Sequence, residues 1–588
     1  MSLSPNYKLP GVTLEEVFGS DSGSVTPNTR CTLFGYVGAS CTKPLNTPWQ
    51  PANLSEVVAA AGATCQLTHI YQAARSQNSG ADIFLIPLAA PSSGTAATHK
   101  VTFMAAPSAG VLGTGTAALL ADTCRVTYRG RGASFRIAQG DSFSEIASAA
   151  ASALQAVASL GVTISVASAT VTATDPHKGE HGNDCPISVS FASKASGVAA
   201  SCGDVTFATT ATGAGVATLT LNGQVCPVTI GATNTVVQSA QAAVAAIRAN
   251  GYCVDAAIPA SPSDGVVTLF YRDGIVAHQI SAVTTATSQT VTVNCGTVGT
   301  GTPDLTAALA KLVAAKTASK VFGCFWQDAS NWGAFSSHIE GQSVVPIQKG
   351  QVAVGCVTTG GIAARAANLP ASTTPALTAS PRYIIAHQAG SQVASWELTA
   401  RIAAAVAGLN PLTDSQNLNG LVLRTRDGVP LGVPHEIDQV GDEEANTMIA
   451  TYKLAPLGVV SGSNVLLRSS TTYAAEGSLD AKLEKISAIM LTDYMRDDIR
   501  KRVYARHGKQ MLKAVGQART SNCTTPLAIL DTIYECLLGY DANDLYDDAK
   551  SLRPDFKYSV PSANRVRCEV PLRPTADLDQ VEIVSPIL

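Results

Sequence analysis

The sequence predicts a mixed α+β and α/β multidomain protein. A discontinuous α/β core domain, built from N- and C-terminal parts, is interrupted by β-rich duplicated insertion domains and flanked by extended terminal strand arms. Three observations carry this expectation. Strand, helix, strand order occurs early in the chain and resumes from Asp304, the signature of a layered α/β unit. Between about Pro91 and Thr302 the composition shifts to Thr, Ala, Ser and Gly with alternating Val and Ile, which suits short strands. Both ends carry short segments that alternate polar and apolar residues, the two-residue period of a half-buried strand. At 588 residues the chain exceeds what one hydrophobic core usually holds.

Residues 1–28 form the expected N-terminal arm, whose segment 9–17 is extended behind Pro10-Gly11 and places Val12 and Leu14 on one strand. The core begins over residues 29–90. Residues 32–38 read as a buried strand ending at glycine, Asn53-Leu54-Ser55-Glu56 opens a helix, a second helix runs near 68–76, and 83–86 is an apolar strand.

Two insertion units follow, 91–208 and 209–303. In the first, strands at 125–128 and 134–137 precede a helix over 142–158 and strands at 162–166, 170–174 and 187–191. In the second, strands at 217–221 and 225–230 precede a helix over 235–249 and strands at 252–256, 266–271 and 277–280. The shared order predicts a repeated β-β-α-β-β-β unit, with turns at Gly182-Asn183-Asp184 and Ser263-Asp264-Gly265.

Core elements resume over 304–560. Asp304-Leu305-Thr306 caps a helix, strands follow at 321–326, 352–356 and 383–386, and a helix over 393–407 stops at Gly408 before Asn410-Pro411. An amphipathic helix is expected from Leu479 to about Lys513, burying Leu483, Ile486, Met490 and Tyr494. From Asp493 to Lys513 it holds seven basic residues against three acids. The last part, 561–588, alternates Arg565, Arg567 and Glu569 against Val566, Cys568 and Val570, and later Gln580 and Glu582 against Val581 and Ile583. The intervening Pro571-Leu572-Arg573-Pro574 cannot sit inside a sheet, because each proline removes a ladder donor. Two terminal strands suit strand addition between subunits, through Val12, Leu14, Val566, Cys568, Val570, Val581 and Ile583.

Composition narrows the function classes. A net charge of −3 with 14% charged residues gives no field to attract nucleic acid. The uncharged stretch 146–171 is dominated by Ala and Ser and breaks at Gly161, too weakly apolar to insert in a membrane. The first eight residues lack a charged leader followed by an apolar core, so folding in the cytoplasm of the producing cell is expected. The densest polar cluster, Asp175 to Cys185, holds His177 and His181 four apart, but Pro176, Gly179 and Gly182 argue against the helix a metal pair would need; a solvated hairpin loop is the expectation. Gly113-Thr114-Gly115 lacks a parallel-strand context, and phosphate-loop, nucleophile-elbow and zinc-protease motifs do not occur. No catalytic residue, cofactor or metal site is expected.

Several of these segments, taken together, resemble the sheath proteins of contractile phage tails. They are Pro10-Gly11-Val12 with Glu15-Glu16-Val17; the Gly35-to-Gly38 strand end before a helix and strand; Asn410-Pro411-Leu412; Leu418-Asn419-Gly420; Arg468-Ser469-Ser470-Thr471-Thr472-Tyr473; and the terminal strand with Pro571-Leu572-Arg573-Pro574. The resemblance covers residues 1–90 and 304–588. It implies a non-enzymatic structural subunit that stacks as hexameric rings around a tail tube, meets baseplate and tail terminator proteins at the sheath ends, and drives genome ejection by contraction as part of a virion assembled in host cytoplasm. Insertions of the kind at 91–303 project from the core in such proteins. The resemblance also implies a tube contact through a charged inner element, for which Arg500, Lys501, Arg506 and Lys509 are the candidates. A sheath of a phage-derived bacteriocin or secretion apparatus shares these features, and a surface-layer protein or adhesin is a further alternative.

Fourteen cysteines occur without any Cys-x-x-Cys. They read either as small buried hydrophobes or as bridges formed once a particle leaves the reducing cell. For the second reading Cys568 leads, with Cys31, Cys41, Cys523 and Cys536 as further candidates.

Overall fold

The computed structural model describes residues 30–157, 160–221, 224–250, 254–272, 274–275, 277, 280–285, 289–314, 319–326, 328–343, 350–358, 380–409, 418–425, 431–435, 439–473, 484–514, 522–562 and 565–575. Val12, Leu14, Val581 and Ile583 lie outside these residues, as do Leu483 and Asn410-Pro411-Leu412.

The buried strand β1 (Arg30–Val37) starts the core. Asn53 accepts the Glu56 amide and so caps α1 (Leu54–Ala61); α2 (Gln66–Gln77) leads into β2 (Ile83–Ala89). β1 and β2 pair in parallel, an arrangement that requires the helical crossover between them.

The chain then passes through β3 (Ala96–Ala105), β4 (Asp122–Tyr128), β5 (Arg131–Ile137), α3 (Phe143–Gln155), β6 (Thr163–Ala167), β7 (Thr170–Lys178), β8 (Ile187–Phe191) and β9 (Val198–Ala208). Ser142 and Glu145 close a capping box at the start of α3. A second run follows: β10 (Gly215–Leu221), β11 (Gln224–Ile230), α4 (Val236–Asn250), β12 (Val254–Ala257), β13 (Val266–Tyr271), β14 (Ser281–Thr285) and β15 (Thr290–Asn294). The strand expected at 277–280 begins later, at Ser281, while Ala277 makes an isolated bridge to Ile187.

Core elements resume with α5 (Thr306–Ala314), β16 (Ser319–Gly323), α6 (Ala329–Ser343), β17 (Val352–Val357), β18 (Tyr383–His387), α7 (Ser395–Ala407), β19 (Leu421–Val422), α8 (Asp442–Ala450), β20 (Ala455–Val460) and β21 (Ser463–Leu466). One eight-stranded sheet results, in the order β19-β21-β20-β18-β17-β16-β1-β2, parallel from β2 to β20 and antiparallel at β21 and β19. The fold is therefore mixed α/β with several sheets, as the sequence predicts. The insertion contributes a seven-stranded sheet, β12-β13-β9-β3-β7-β6 with β15 on β9, and two three-stranded sheets, β5-β4-β8 and β11-β10-β14.

Hydrophobic packing does not follow the sequence divisions. A single cluster joins the α/β core to the first insertion unit, running from Leu33, Ile70 and Trp396 to Tyr128, Ile146 and Val189. The second unit packs around its own core, including Phe207, Leu219, Ile247 and Leu269.

The seam in the first cluster is polar as well as apolar, and here the structure corrects the sequence. The 175–185 segment is no solvated hairpin: Asp175, His177 and His181 are 4%, 5% and 3% exposed, and residues 180–182 form a short 3-10 turn. The segment is covered by β1, whose Tyr36 ring lies 4.8 Å from that of His181. Asp175 accepts from the His177 amide at 2.9 Å and from the His181 ring at 3.0 Å, and Asp184 accepts from the Ser395 hydroxyl of α7. Beside it, Arg129 in the β4–β5 turn faces Glu397 of α7 at 3.8 Å, and Arg401 approaches the same carboxylate at 3.6 Å, with all three side chains 5% exposed or less. Arg131 donates to His69 Nδ1 at 3.2 Å, which requires a neutral imidazole there. Gly161, at φ +75°, leaves the space that His69 and Arg129 fill, for a Cβ would stand 2.4 Å from His69 Nε2. Among the described residues no cluster of three or more His, Cys, Asp or Glu is arranged to hold a metal.

Burial, then the charges of Arg129 and Arg131, holds His69 well below the usual histidine range. Burial, then His181, brings His177 down to about 4. Both folded values lie below the unfolded one, so the unfolded chain takes up protons first as pH falls below about 6.5. This contribution to stability is complete above that pH and is lost toward about 4 for His177. Thermal midpoints recorded from pH 7.5 down to 4.5 should fall, with a loss on the order of 2–3 kcal/mol. His177→Gln should flatten the acid limb; an identical limb in the variant would assign the acid sensitivity to other groups.

Candidate assembly surface

The C-terminal elements form a third packed unit on the α/β core. α9 (Ile486–His507) leads to the short pair β22 (Met511–Leu512) and β23 (Cys523–Thr524), then α10 (Pro526–Asp541), and last to β24 (Lys557–Ser562) and β25 (Arg565–Glu569). Met495, Leu530, Leu537, Tyr540 and Tyr546 make its core, with Cys568, Val570 and Leu572 packed against it.

The Arg468–Tyr473 segment fixes where α9 begins. The Thr471 amide donates to Glu484 O at 2.7 Å. The Thr472 amide donates to Tyr383 O at the start of β18, and its hydroxyl to Ser380 O. Asn419 accepts from the Ser469 amide. Small hydroxylated residues are needed because both threonines are buried and each must satisfy backbone groups.

α9 is shorter than its sequence pattern predicts. It ends at His507, with Gly508 following, so Lys509 and Lys513 lie beyond it. Its acids are partnered inside the chain. Asp493 is buried and takes both guanidinium nitrogens of Arg382, at 2.6 and 3.1 Å, as well as Arg496 at 2.7 Å. Asp498 accepts from the Tyr540 hydroxyl of α10 and pairs with Arg502 at 2.8 Å. Arg500 and Lys501 both contact Asp497, at 2.8 and 2.7 Å, and Arg506 pairs with Glu535. Of the proposed tube-contact residues, three thus carry a carboxylate partner of their own, and the basic excess read from sequence is largely neutralised. Lys509 is exposed. The sequence reading did not single out Tyr504 and Met511, 71% and 67% exposed beside these charges.

The last strand is paired within the chain. Residues 565–569 are paired, antiparallel, with the chain's own 557–562, Tyr558 opposite Cys568. Val566, Cys568 and Val570 are half-buried between exposed Arg567 and Glu569, so the alternation is as expected, but the strand belongs to a hairpin. Among the described residues this is a two-stranded sheet with no third strand. Its apolar side is only partly covered: Tyr558 is 39% and Val560 47% exposed. The proline-bounded stretch that follows is held to the body, with Tyr546 donating to Pro571 O at 2.7 Å and Thr575 bonding Leu545 O. The acidic run before the hairpin builds turns: Asp544 and Asp548 have φ of 56° and 54°, and Asp548 accepts from the Ser551 amide.

Thirteen cysteines lie among the described residues, unpaired with one another. Cys31, Cys523 and Cys536 are buried, and burial lifts the Cys536 thiol to about 12. Cys41 and Cys568 are half-exposed, which leaves these two as candidates able to meet a second chain.

No family profile matches the sequence, and no curated protein does. Among solved structures the chain is similar to the sheath tail protein of Desulfitobacterium hafniense, at 10% identity over 94% of each chain with a TM-score of 0.42. It is similar to the sheath tail protein of Listeria innocua at 12% identity, over 93% of this chain and 92% of that one, also with a TM-score of 0.42. A chain of the anti-feeding prophage baseplate matches 48% of this chain and 72% of its own at 12% identity, with a TM-score of 0.33. Among the described residues no helix is long and apolar enough to cross a membrane.

Asp498→Ala should cost roughly 3–5 kcal/mol in urea unfolding, because it strands Arg502 and the Tyr540 hydroxyl in a buried site. Asp497→Ala, whose partners reach into solvent, should stay within about 0.5 kcal/mol. Equal losses would show that depth of burial does not rank these pairs.

Proposed function

We propose that the chain is a structural subunit of a contractile tail sheath. Copies stack as hexameric rings around a tail tube, meet baseplate and terminator proteins at the ends, and contract to drive the tube through a host envelope as part of a virion. The observation that carries this reading is the open hairpin β24–β25. A two-stranded sheet is marginal alone, this one leaves Tyr558 and Val560 half-exposed, and the same sequence holds two strand-patterned segments, 9–17 and 580–584. In this proposal the hairpin is the acceptor, and strands bearing Val12 and Leu14, or Val581 and Ile583, come from neighbouring subunits. Such links keep subunits joined while rigid bodies move between two packings.

Two finer assignments belong to the same proposal. The insertion units are copies of one design. In support, β4–β5, β4–β8, β6–β7, β3–β7 and β3–β9 pair just as β10–β11, β10–β14, β12–β13, β9–β13 and β9–β15 do, all antiparallel. In this reading β9 serves as the last strand of one copy and the first of the next. The tube contact falls on Arg500, Lys501, Arg506 and Lys509 with Tyr504 and Met511, a surface whose internal ion pairs keep electrostatic attraction weak enough to release. Cys568 is the bridging thiol to test.

Negative-stain microscopy of the full chain should show hollow tubes, and removal of residues 579–588 should abolish them while circular dichroism stays unchanged. That deletion begins beyond Thr575, whose amide bonds Leu545 O, so it spares the hairpin. Compact particles from both chains would overturn the sheath reading. On non-reducing gels of oxidised tubes, Cys568→Ser should remove any inter-subunit ladder; a ladder that persists would assign bridging to another cysteine.

A further inference from the structure

Open sheet edges are templates for pairing, and folded chains normally blunt them with charge, proline or a covering segment. This chain does so at several edges. The outer side of β2 is covered by Trp49, which exchanges backbone hydrogen bonds of 2.9 and 2.7 Å with Leu85, and β2 contains Pro87. The edge strand β11 contains Pro227, and the edge strand β5 contains Arg131 and Arg136.

β6 departs from this pattern. It ends the seven-stranded sheet, and its sequence Thr163-Ile164-Ser165-Val166-Ala167 has no charge and no proline. Four of its five residues are exposed, and Val166 is a large apolar side chain at 39% exposure. The outward backbone groups can be assigned. Ile164 O accepts from the side chain of Gln155 at 3.3 Å, so it points away from β7. On an antiparallel strand alternate residues direct both backbone groups to one side. Ile164 and Val166 thus face outward, and Ser165 faces β7, opposite Thr172.

That arrangement is self-complementary. We propose that the β6 edge is a pairing surface for a second copy of this chain, joined edge to edge about a two-fold axis at Ser165. Ile164 of each copy then stands opposite Val166 of the other as a hydrogen-bonded pair, and the two Ser165 residues meet as a non-hydrogen-bonded pair. Two uncharged edges meet without like-charge repulsion, whereas a charged partner strand would find no counter-charge on β6. The long Gln155 contact yields to a backbone donor. Five residues a side fall well short of the roughly 1,000 Å² of a stable dimer, so free chains pair weakly and chains displayed in arrays pair by multivalency. The two-fold axis relates oppositely directed chains, so the contact joins chains of separate assemblies or free chains, not successive copies of one polar stack. It does not depend on the sheath reading.

Covalent trapping on the full chain tests this. Non-hydrogen-bonded antiparallel partners lie about 4.5 Å apart at Cα, within disulfide range. Ser165→Cys should therefore give a dimer band on non-reducing gels after mild oxidation, above any formed by the parent chain. Thr163→Cys should not, because residue 163 opposes residue 167 of the other copy, yet a mixture of Thr163→Cys and Ala167→Cys chains should. Adding Val166→Lys to Ser165→Cys should abolish the band with circular dichroism unchanged. A Ser165→Cys chain that crosslinks no more than the parent, or equal crosslinking from positions 163 and 165 alone, overturns the proposal.

Discussion

The parallel pairing of β1 with β16 sets the terms for the rest of the fold. Cys31, Thr32 and Leu33 lie beside Val321, Phe322 and Gly323, and at the edge of that register the Thr32 hydroxyl donates to the Ser319 hydroxyl at 2.6 Å inside the core. The insertion between β2 and α5 leaves and returns at nearly one point. The outgoing and returning segments are accordingly laced together: the Thr300 amide donates to Thr95 O, the Thr98 amide to Thr297 O, and the Asn183 side chain bonds both backbone groups of Gly299. Gly94 allows this approach, since a Cβ there would meet Thr300 O at 1.9 Å. A long insertion costs little closure entropy once its ends are fixed. The core sheet can therefore form as if the insertion were a loop.

Fixing two ends does not orient a body, and the buried seam supplies that. Arg129, Glu397 and Arg401 bring charge into a site where isolated ions are expensive, so the turn between β4 and β5 has one seat against α7. The guanidinium of Arg129 is also held by Leu160 O at 2.8 Å, and that of Arg401 by Arg424 O and Ala73 O. Apolar contacts alone would tolerate sliding of the two faces, whereas the hydrogen bonds that cross the seam, from the Ser395 hydroxyl to Asp184 and from Arg131 to His69, have a defined direction and do not. The first unit shares a core with the sheet, while the second, attached through β9, keeps a core of its own.

How much of this was legible depended on whether the signal was local. Asn53, Ser142 and Asp304 stood at the expected helix starts, and each caps its helix in the structure, because a cap is a contact between residues two or three apart. α6 was missed: its buried stripe of Trp332, Phe335 and Ile339 is diluted by Gly333, Gly341 and serines of poor helix propensity. α10 had a readable start, Thr525 capping a helix with Pro526 at its first position, which the reading passed over. The histidine segment misled for a different reason. Pro176, Gly179 and Gly182 signal a turn correctly, but turn chemistry says nothing about what packs over the turn, and Tyr36 comes from β1, far earlier in the sequence. Long-range partners also explain the basic helix, whose count of charges was right and whose pairing, with Arg382 and Glu535, was invisible in one dimension.

α9 links two of these levels. Asp493 ties it to the sheet through Arg382, and Asp498, little more than a turn further on, ties it to α10 through Tyr540, which burial and then the carboxylate push far above the usual phenol range. A helix rises 1.5 Å per residue and keeps its length, so the two anchors hold the hairpin at a set distance and rotation from β18. The first anchor is a buried ion pair and the second a hydrogen bond from a neutral phenol to a carboxylate that Arg502 balances, and removing either carboxylate strands a charge. The exposed pairs on the same helix, Arg500 and Lys501 with Asp497, are free to exchange partners at little cost. The stiff connection thus runs along the inner side of α9 and the exchangeable one along its outer side. A load applied to the hairpin would pass to the sheet before it disturbed the surface charges.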